Sequence, residues 1–171
     1  MKGNGYPPSG KTSAVYREGQ RRDSQSGPRP PADHLVPIGK SAVRRPGTDI
    51  TVVSVSRMVH EALAAAEVVA GEGVSVEVID LRTVAPLDVA AVLESVHRTS
   101  RLLIAHEAVM PFGLGAEIAA TVAREAFWDL DAPIERVGAA PTPPPYAPSL
   151  ERAWLPDRDD IAAAIRRFAA V

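Results

Sequence analysis

The sequence contains no cysteine, which removes disulfides, thiolate metal ligands and a cysteine nucleophile. Aromatic residues make up only 5% of the chain, so any core has to be largely aliphatic. Lysine is confined to Lys2, Lys11 and Lys40, the other basic side chains being arginine. That bias hints at a GC-rich bacterial source and hence a cytoplasmic location. Nor does one sign of charge dominate: a formal net charge of -2 gives no general attraction to nucleic acid or to an anionic membrane. No apolar run reaches the roughly 18–20 residues that a bilayer-spanning helix needs. What is present is ordinary for a globular protein, 171 residues with 46% hydrophobic content, enough for one domain and a tail.

The chain is organised around Val74–Asp88. Val74–Ile79 has the length and β-branched chemistry of a buried strand. Leu81–Leu87 breaks away through Pro86, which has no N–H for a ladder or a helix interior. Asp88 then stands where a helix N-cap would, its carboxylate placed for the N–H groups of Val89–Leu93. Strand, loop and helix start in that order, with helix patterns on either side, argue for a parallel sheet.

Met1–Asp33 is rich in Gly, Pro, Ser, Gln and Arg and has almost no apolar periodicity. It reads as a disordered or linker-like lead-in rather than a targeting segment, because Glu18, Asp23 and the Pro and Gly residues prevent an Arg-rich amphipathic helix. The domain proper is expected over residues 34–171. Lys40–Arg45 suggests an edge strand ending at the Pro46-Gly47 turn, and Ile50–Val55 a central strand buried on both faces. Ser56 is placed to cap a helix from Arg57 to about Ala70, with Gly71 and Gly73 closing it as left-handed residues. Asp88–Arg98 is the next helix and Arg101–His106 the next strand. Phe112–Glu117 turns into a helix running to about Phe127 or Leu130, and Ile134–Val137 is a last short strand. Pro141–Pro148 reads as an extended proline-dense loop, and Asp157 as the cap of a helix from Arg158 to Ala170. The expected fold is α/β: a three-layer α/β/α domain on a mostly parallel sheet of about five strands, one of them an antiparallel edge strand.

Several places invite a chemical role. Phe112-Gly113-Leu114-Gly115-Ala116-Glu117 follows a strand and opens a helix, where free N–H groups can hold a phosphate or carboxylate. It is not G-x-G-x-x-G, and Glu117 in the first turn would itself occupy the positive end of the dipole; the plainer reading is two glycines permitting a tight turn. His106-Glu107 ends a parallel strand at its carboxyl edge, the usual ligand side of an open sheet. Strand neighbours point to opposite faces, so a structural or interface role is favoured over an acid–base pair. Asp80 and Arg82 bracket a loop that an ion pair between them would fix, and either suits a partner chain. Tyr146, Trp128 and Trp154 lie near loops or helix ends, as interface anchors and core edges both do. His60 and His97 lack a second ligand at metal spacing. Asp157, Asp159 and Asp160 are more simply a cap and favourable dipole charges than a magnesium site. No catalytic, metal-binding or cofactor-binding residue emerges. His106, Glu107, Phe112, Gly113, Gly115, Glu117, Arg82 and Tyr146 remain as candidate interface or anion-site residues.

Val76–Asp88 (Val-Glu-Val-Ile-Asp-Leu-Arg-Thr-Val-Ala-Pro-Leu-Asp) resembles the C-terminal domain of transketolase-like thiamine diphosphate enzymes. Val36-Pro37-Ile38-Gly39-Lys40, Arg101–Ala108 (Arg-Leu-Leu-Ile-Ala-His-Glu-Ala) and Phe112–Ile118, with its Gly-x-Gly-Ala-Glu-Ile, narrow the likeness. Together they are similar to the β subunit of 2-oxo acid dehydrogenase E1 components, of pyruvate or branched-chain type. Asp131-Ala132-Pro133 and the Pro-Tyr-Ala-Pro of Pro145–Pro148 extend it over nearly all of His34–Phe168. Ala14-Val15-Tyr16-Arg17 faintly resembles the segment joining that subunit's two domains. The resemblance implies that only the second of the two domains is here. The first carries the glutamate that engages the aminopyrimidine of thiamine, and the α partner carries a Gly-Asp-Gly-type motif for Mg²⁺ and diphosphate, which this chain lacks.

From the resemblance follow the expected associations. Thiamine diphosphate and Mg²⁺ belong to the complete enzyme and are not bound by this chain alone. Partners are the E1 α subunit or the missing E1 β N-terminal domain, a second copy in a homodimer, and the subunit-binding domain of the E2 acyltransferase. The chain departs from the family at Ala139, usually glycine, and at Pro141, usually aspartate, which puts that loop's family contacts in doubt. Two other readings stay open: a free-standing α/β module binding a small anion at Gly113–Glu117, and the C-terminal domain of a transketolase or deoxyxylulose phosphate synthase.

Overall fold

The computed structural model describes residues 35–169. The expected lead-in, the stretch Ala14–Arg17 and the final residues lie outside the described part. The described elements run β1 (Ala42–Arg45), β2 (Ile50–Ser54), α1 (Met58–Ala70), β3 (Val76–Asp80), α2 (Val89–Thr99), β4 (Leu102–Val109), α3 (Leu114–Glu125), a 3₁₀ turn (Phe127–Asp129), β5 (Glu135–Ala139), α4 (Pro148–Trp154) and α5 (Arg158–Ala169).

One five-stranded sheet has the order β1-β3-β2-β4-β5. β3, β2, β4 and β5 are parallel, and β1 runs antiparallel along β3. Every residue of β2 and of β3 is buried, because helices cover both faces of a parallel sheet and leave no solvent side to alternate with. Side chains still alternate between two cores. Ile50, Val52, Val76, Val78, Leu103 and Ala105 face α1 and α5. Val53, Ile79, Leu102 and Ile104 face α2 and α3. This is the expected three-layer α/β/α arrangement.

A buried polar chain interrupts the second core. Thr51 of β2 shares its hydroxyl with Ser95 and Thr99 of α2, each at 2.6 Å. Ser95 Oγ donates to Glu77 Oε1 at 2.5 Å, and Arg98 Nη2 donates to the same oxygen at 2.6 Å. Thus two polar strand residues that face α2 are satisfied by its inward hydroxyls and by a guanidinium at its C-terminal end.

Several local expectations need correcting. Ser56 does not cap α1: its backbone is left-handed (φ 60), and Arg57 occupies the cap position. Gly71 is right-handed (φ -62), and only Gly73 (φ 89) takes the left-handed turn after the helix. Asp88 takes the expected cap position of α2, but its carboxylate hydrogen-bonds Ser41, just before the edge strand, accepting from Ser41 N at 2.9 Å and Ser41 Oγ at 3.2 Å. Burial alone would raise its pKa; the Ser41 N–H, the Lys40 charge, the Ser41 hydroxyl and the Ala91 N–H outweigh it and hold the carboxyl below its usual range. Asp157 is a true cap, accepting from the N–H of Asp159 and Asp160 while Asp160 accepts from Asp157 N. The proline-dense loop ends earlier than expected, since Pro148 opens the short helix α4.

Candidate functional site

β2 continues into α1 on one face of the sheet, and its neighbour β4 continues into α3 on the other. The carboxyl ends of β2 and β4 therefore flank the topological switch point, where ligands and partners of open α/β sheets engage. Left-handed non-glycine residues stand just beyond three strand ends along this edge: Ser56 after β2 (φ 60), Arg82 after β3 (φ 56) and Phe112 after β4 (φ 58). Each costs about 1–2 kcal/mol relative to an ordinary backbone, and such strain gathers at functional sites.

His106 lies at the centre of the β4 side. Ala105 pairs with Val137 of β5, but Val109 pairs with Ala139, so β4 spends four steps where β5 spends two. The resulting bulge turns the His106 ring into the protein, where the residue is only 2% exposed. Its Nδ1 is 3.0 Å from the Ala108 carbonyl, an acceptor, so Nδ1 carries the proton and Nε2 presents a bare lone pair. Nε2 is buried without a hydrogen-bond partner.

Three glycines close around this ring. A Cβ on Gly115 would come within 2.7 Å of Cδ2 and closer still to Nε2. On Gly138 it would stand 3.0 Å from Cε1 and 2.8 Å from the Ala108 carbonyl. On Gly113 it would stand 3.2 Å from Cε1 and 2.6 Å from the Val109 carbonyl. The first turn of α3 is glycine-rich because an imidazole packs against it. Arg136 of β5 locks the other side of the bulge by donating from Nη1 to the Met110 carbonyl at 3.1 Å.

His106, Gly113 and Gly115 are thus brought together. Glu107 is half-buried next to them, and Glu117 is exposed in the first turn of α3. Phe112 projects fully into solvent from the same loop, and Tyr146 does so from the loop after β5. Arg82 belongs to the β3 side, where it makes no ion pair with Asp80; its backbone N–H donates to Asp80 Oδ1 at 3.0 Å. His97 of α2 meets Asp129 at 3.0 Å. Gly138 and Arg136 escaped sequence reasoning. A glycine inside a short strand opposite a histidine-ended strand is the signal that marks them.

Burial holds the His106 pKa below 6.5, reinforced by the Arg136 charge and only partly opposed by the Ala108 bond. Between that depressed value and 6.5 the unfolded chain binds more protons, so stability rises with pH through this window. The His106 contribution is complete above 6.5 and is lost as pH falls through the folded value. Denaturant midpoints measured across pH 4–8, about the range where histidine titrates, are expected to show that slope in the wild type. His106→Gln is expected to flatten it.

The comparisons with known proteins fall on this same frame. A family model described as "Transketolase, C-terminal domain" matches residues 39–161. The chain belongs to the transketolase C-terminal domain family. Among curated proteins, this domain is 49% identical over 132 residues to the pyruvate dehydrogenase E1 component subunit beta-1 of Arabidopsis thaliana, covering 77% of this chain and 36% of that one. It is 40% identical over 141 residues to the 2-oxoisovalerate dehydrogenase subunit beta of Bacillus subtilis, covering 82% and 43%. A split-gene transketolase, solved as an inactive beta4 tetramer, superposes with a TM-score of 0.69 at 26% identity, covering 79% and 43%. The chain therefore spans less than half the length of these three proteins, the two curated ones being β subunits of a pyruvate dehydrogenase and of a 2-oxoisovalerate dehydrogenase.

Thiamine diphosphate is the cofactor this family implies, and its Mg²⁺ and diphosphate call for clustered oxygen ligands. Among the described residues no group of three or more His, Asp or Glu stands where it could hold a metal ion. The crevice between α2 and α3 is lined by Leu87, Val89, Val92, Ile118, Thr121 and Val122.

Proposed function

We propose that this chain is the C-terminal assembly domain of a thiamine diphosphate-dependent 2-oxo acid dehydrogenase E1 β subunit, acting in the bacterial cytoplasm. It contributes contacts between β subunits and to the E2 acyltransferase, and it is not catalytic alone. Decarboxylation needs the α subunit and the β portion that precedes this domain in the relatives. There the cofactor supplies the carbanion chemistry and the protein binds and orients it. The supporting observation is identity of 40–49% with E1 β subunits of plants and bacteria over about four-fifths of the chain. A transketolase role has the split-gene structure in its favour, but at 26% identity it is the weaker reading.

Reconstitution tests the choice. The chain is mixed with the matching α subunit and the preceding β portion, with thiamine diphosphate and Mg²⁺, and 2-oxo acid-dependent reduction of an artificial acceptor is followed. Activity is expected only when all three polypeptides are present. Activity that is undiminished without this chain would overturn the proposal, and ketol transfer between sugar phosphates by the same mixture would favour transketolase.

A further inference from the structure

The loop after β5 carries Pro143-Pro144-Pro145-Tyr146 between Pro141 and Pro148 and leads into α4. Residues 143–145 belong to no helix, strand or turn, yet their conformation is restricted. Proline holds φ at about -65°, and a residue that precedes proline is pushed to extended or polyproline II backbone. Thr142, Pro143, Pro144 and Ala147 each precede a proline. Ala147 shows the outcome, with φ -69 and ψ 130, near the polyproline II values of about -75° and +145°.

Both ends of the run are fixed. Trp154 Nε1 donates to Thr142 Oγ1 at 3.1 Å, and Ala147 O accepts from Glu151 N at 2.9 Å where Pro148 opens α4. A polyproline II strand has about three residues per turn and about 3.1 Å of rise per residue, so positions three apart share one edge. Burial follows that period. Thr142 is tied to Trp154, and Pro145, three residues on, is the half-buried proline of the run. Pro141 and Pro144 form a second edge, Pro143 and Tyr146 a third, and all four residues are exposed, Tyr146 fully (103%). Among the described residues the carbonyls of Pro143, Pro144 and Pro145 accept no hydrogen bond.

A stiff connector accounts for the prolines but not for Tyr146, since an aromatic ring held in water contributes none of the burial it could supply. An ordered, solvated strand with free carbonyls and outward rings is the form in which proline-rich ligands enter aromatic-lined grooves. Its ordering entropy is already lost in folding, which lowers the cost of docking relative to a free peptide.

We propose that Pro143–Tyr146 is a preformed polyproline II ligand for a partner protein with an aromatic-lined groove. Pro143 and Tyr146, about 9 Å apart along the strand, fill two adjacent slots of that groove, and donors on its rim bond the free carbonyls. Every supporting observation lies on this loop, so nothing here depends on the dehydrogenase reading.

The probe is an isotope-labelled WW domain selective for Pro-Pro-x-Tyr strands, titrated with the 171-residue protein and followed by NMR. Saturable shifts confined to its groove are expected, with a Kd at least about threefold below that of a free peptide of residues 140–149. Tyr146→Ala is expected to weaken binding by about tenfold or more and to leave Tm unchanged. Trp128→Ala, which removes an exposed aromatic residue outside the run, is expected to bind like wild type. No saturable binding by the folded protein, whether or not the peptide binds, would overturn the proposal. So would binding that Tyr146→Ala leaves unchanged, or that Trp128→Ala weakens equally. A free peptide that binds as tightly as the folded protein would overturn the preformed strand. A fall in Tm for Tyr146→Ala would show that the ring serves the fold, and would overturn its role as a ligand.

Discussion

Gly115→Ala is expected to destabilise the protein by about 2–3 kcal/mol, although alanine is the better helix former by up to about 1 kcal/mol. The added methyl would stand within 2.7 Å of His106 Cδ2 and closer to Nε2, and the ring has nowhere to go. Gly113 and Gly138 close two of its sides, and its Nδ1 is tied to the Ala108 carbonyl. Relief therefore requires the first turn of α3 to lift from β4. A fall in Tm of roughly 10 °C is the calorimetric signature for a domain of this size. His106→Ala removes the obstacle at the cost of a cavity. The double variant should then be less destabilised than the sum of the singles by at least about 1 kcal/mol. Strict additivity would mean that glycine is present at position 115 for some reason other than the imidazole.

Arg98→Met is the second change with a large expected effect. Glu77 is 3% exposed in the middle of β3, and its Oε1 is held by Ser95 Oγ and Arg98 Nη2. Methionine keeps an apolar stem over the site but leaves a buried carboxylate with one hydroxyl donor. Breaking a fully buried pair costs about 3–5 kcal/mol, but Arg98 is half-exposed, so water screens the charge and about 2 kcal/mol is expected. Glu77→Gln in the Arg98→Met background should recover part of that loss, because a neutral amide is cheaper to bury than an unpaired carboxylate. Denaturation at neutral pH measures both. A cost below about 0.5 kcal/mol for Arg98→Met would place the guanidinium among ordinary surface charges.

The strands were the most legible part of the chain. Burial on both faces writes Ile50–Ser54 and Val76–Asp80 as nearly unbroken apolar runs, and their parallel pairing follows from the helices between them. The same density hid Thr51 and Glu77, which look like lapses in an apolar run until the hydroxyls of α2 are seen opposite them. Helix ends are less legible. Ser56 and Asp88 have cap chemistry, but tertiary bonds and a left-handed turn redirected both. Pro148 closes a proline-dense run in the sequence, whereas proline at a first helical position begins a helix.

At the candidate site, His106, Gly113 and Gly115 could each be picked out from the sequence, but not their mutual contact. That contact depends on a bulge that lengthens β4 and on Gly138, from a different strand. Phe112 was visible as a loop residue, and its strain and full exposure are properties of the folded backbone alone.

Calorimetric titration of the purified 171-residue chain with thiamine diphosphate in the presence of Mg²⁺ tests the central claim most directly. No saturable heat is expected, and no release of carbon dioxide from pyruvate or a branched-chain 2-oxo acid. Saturable binding at micromolar cofactor, or turnover by this polypeptide unaccompanied, would contradict it.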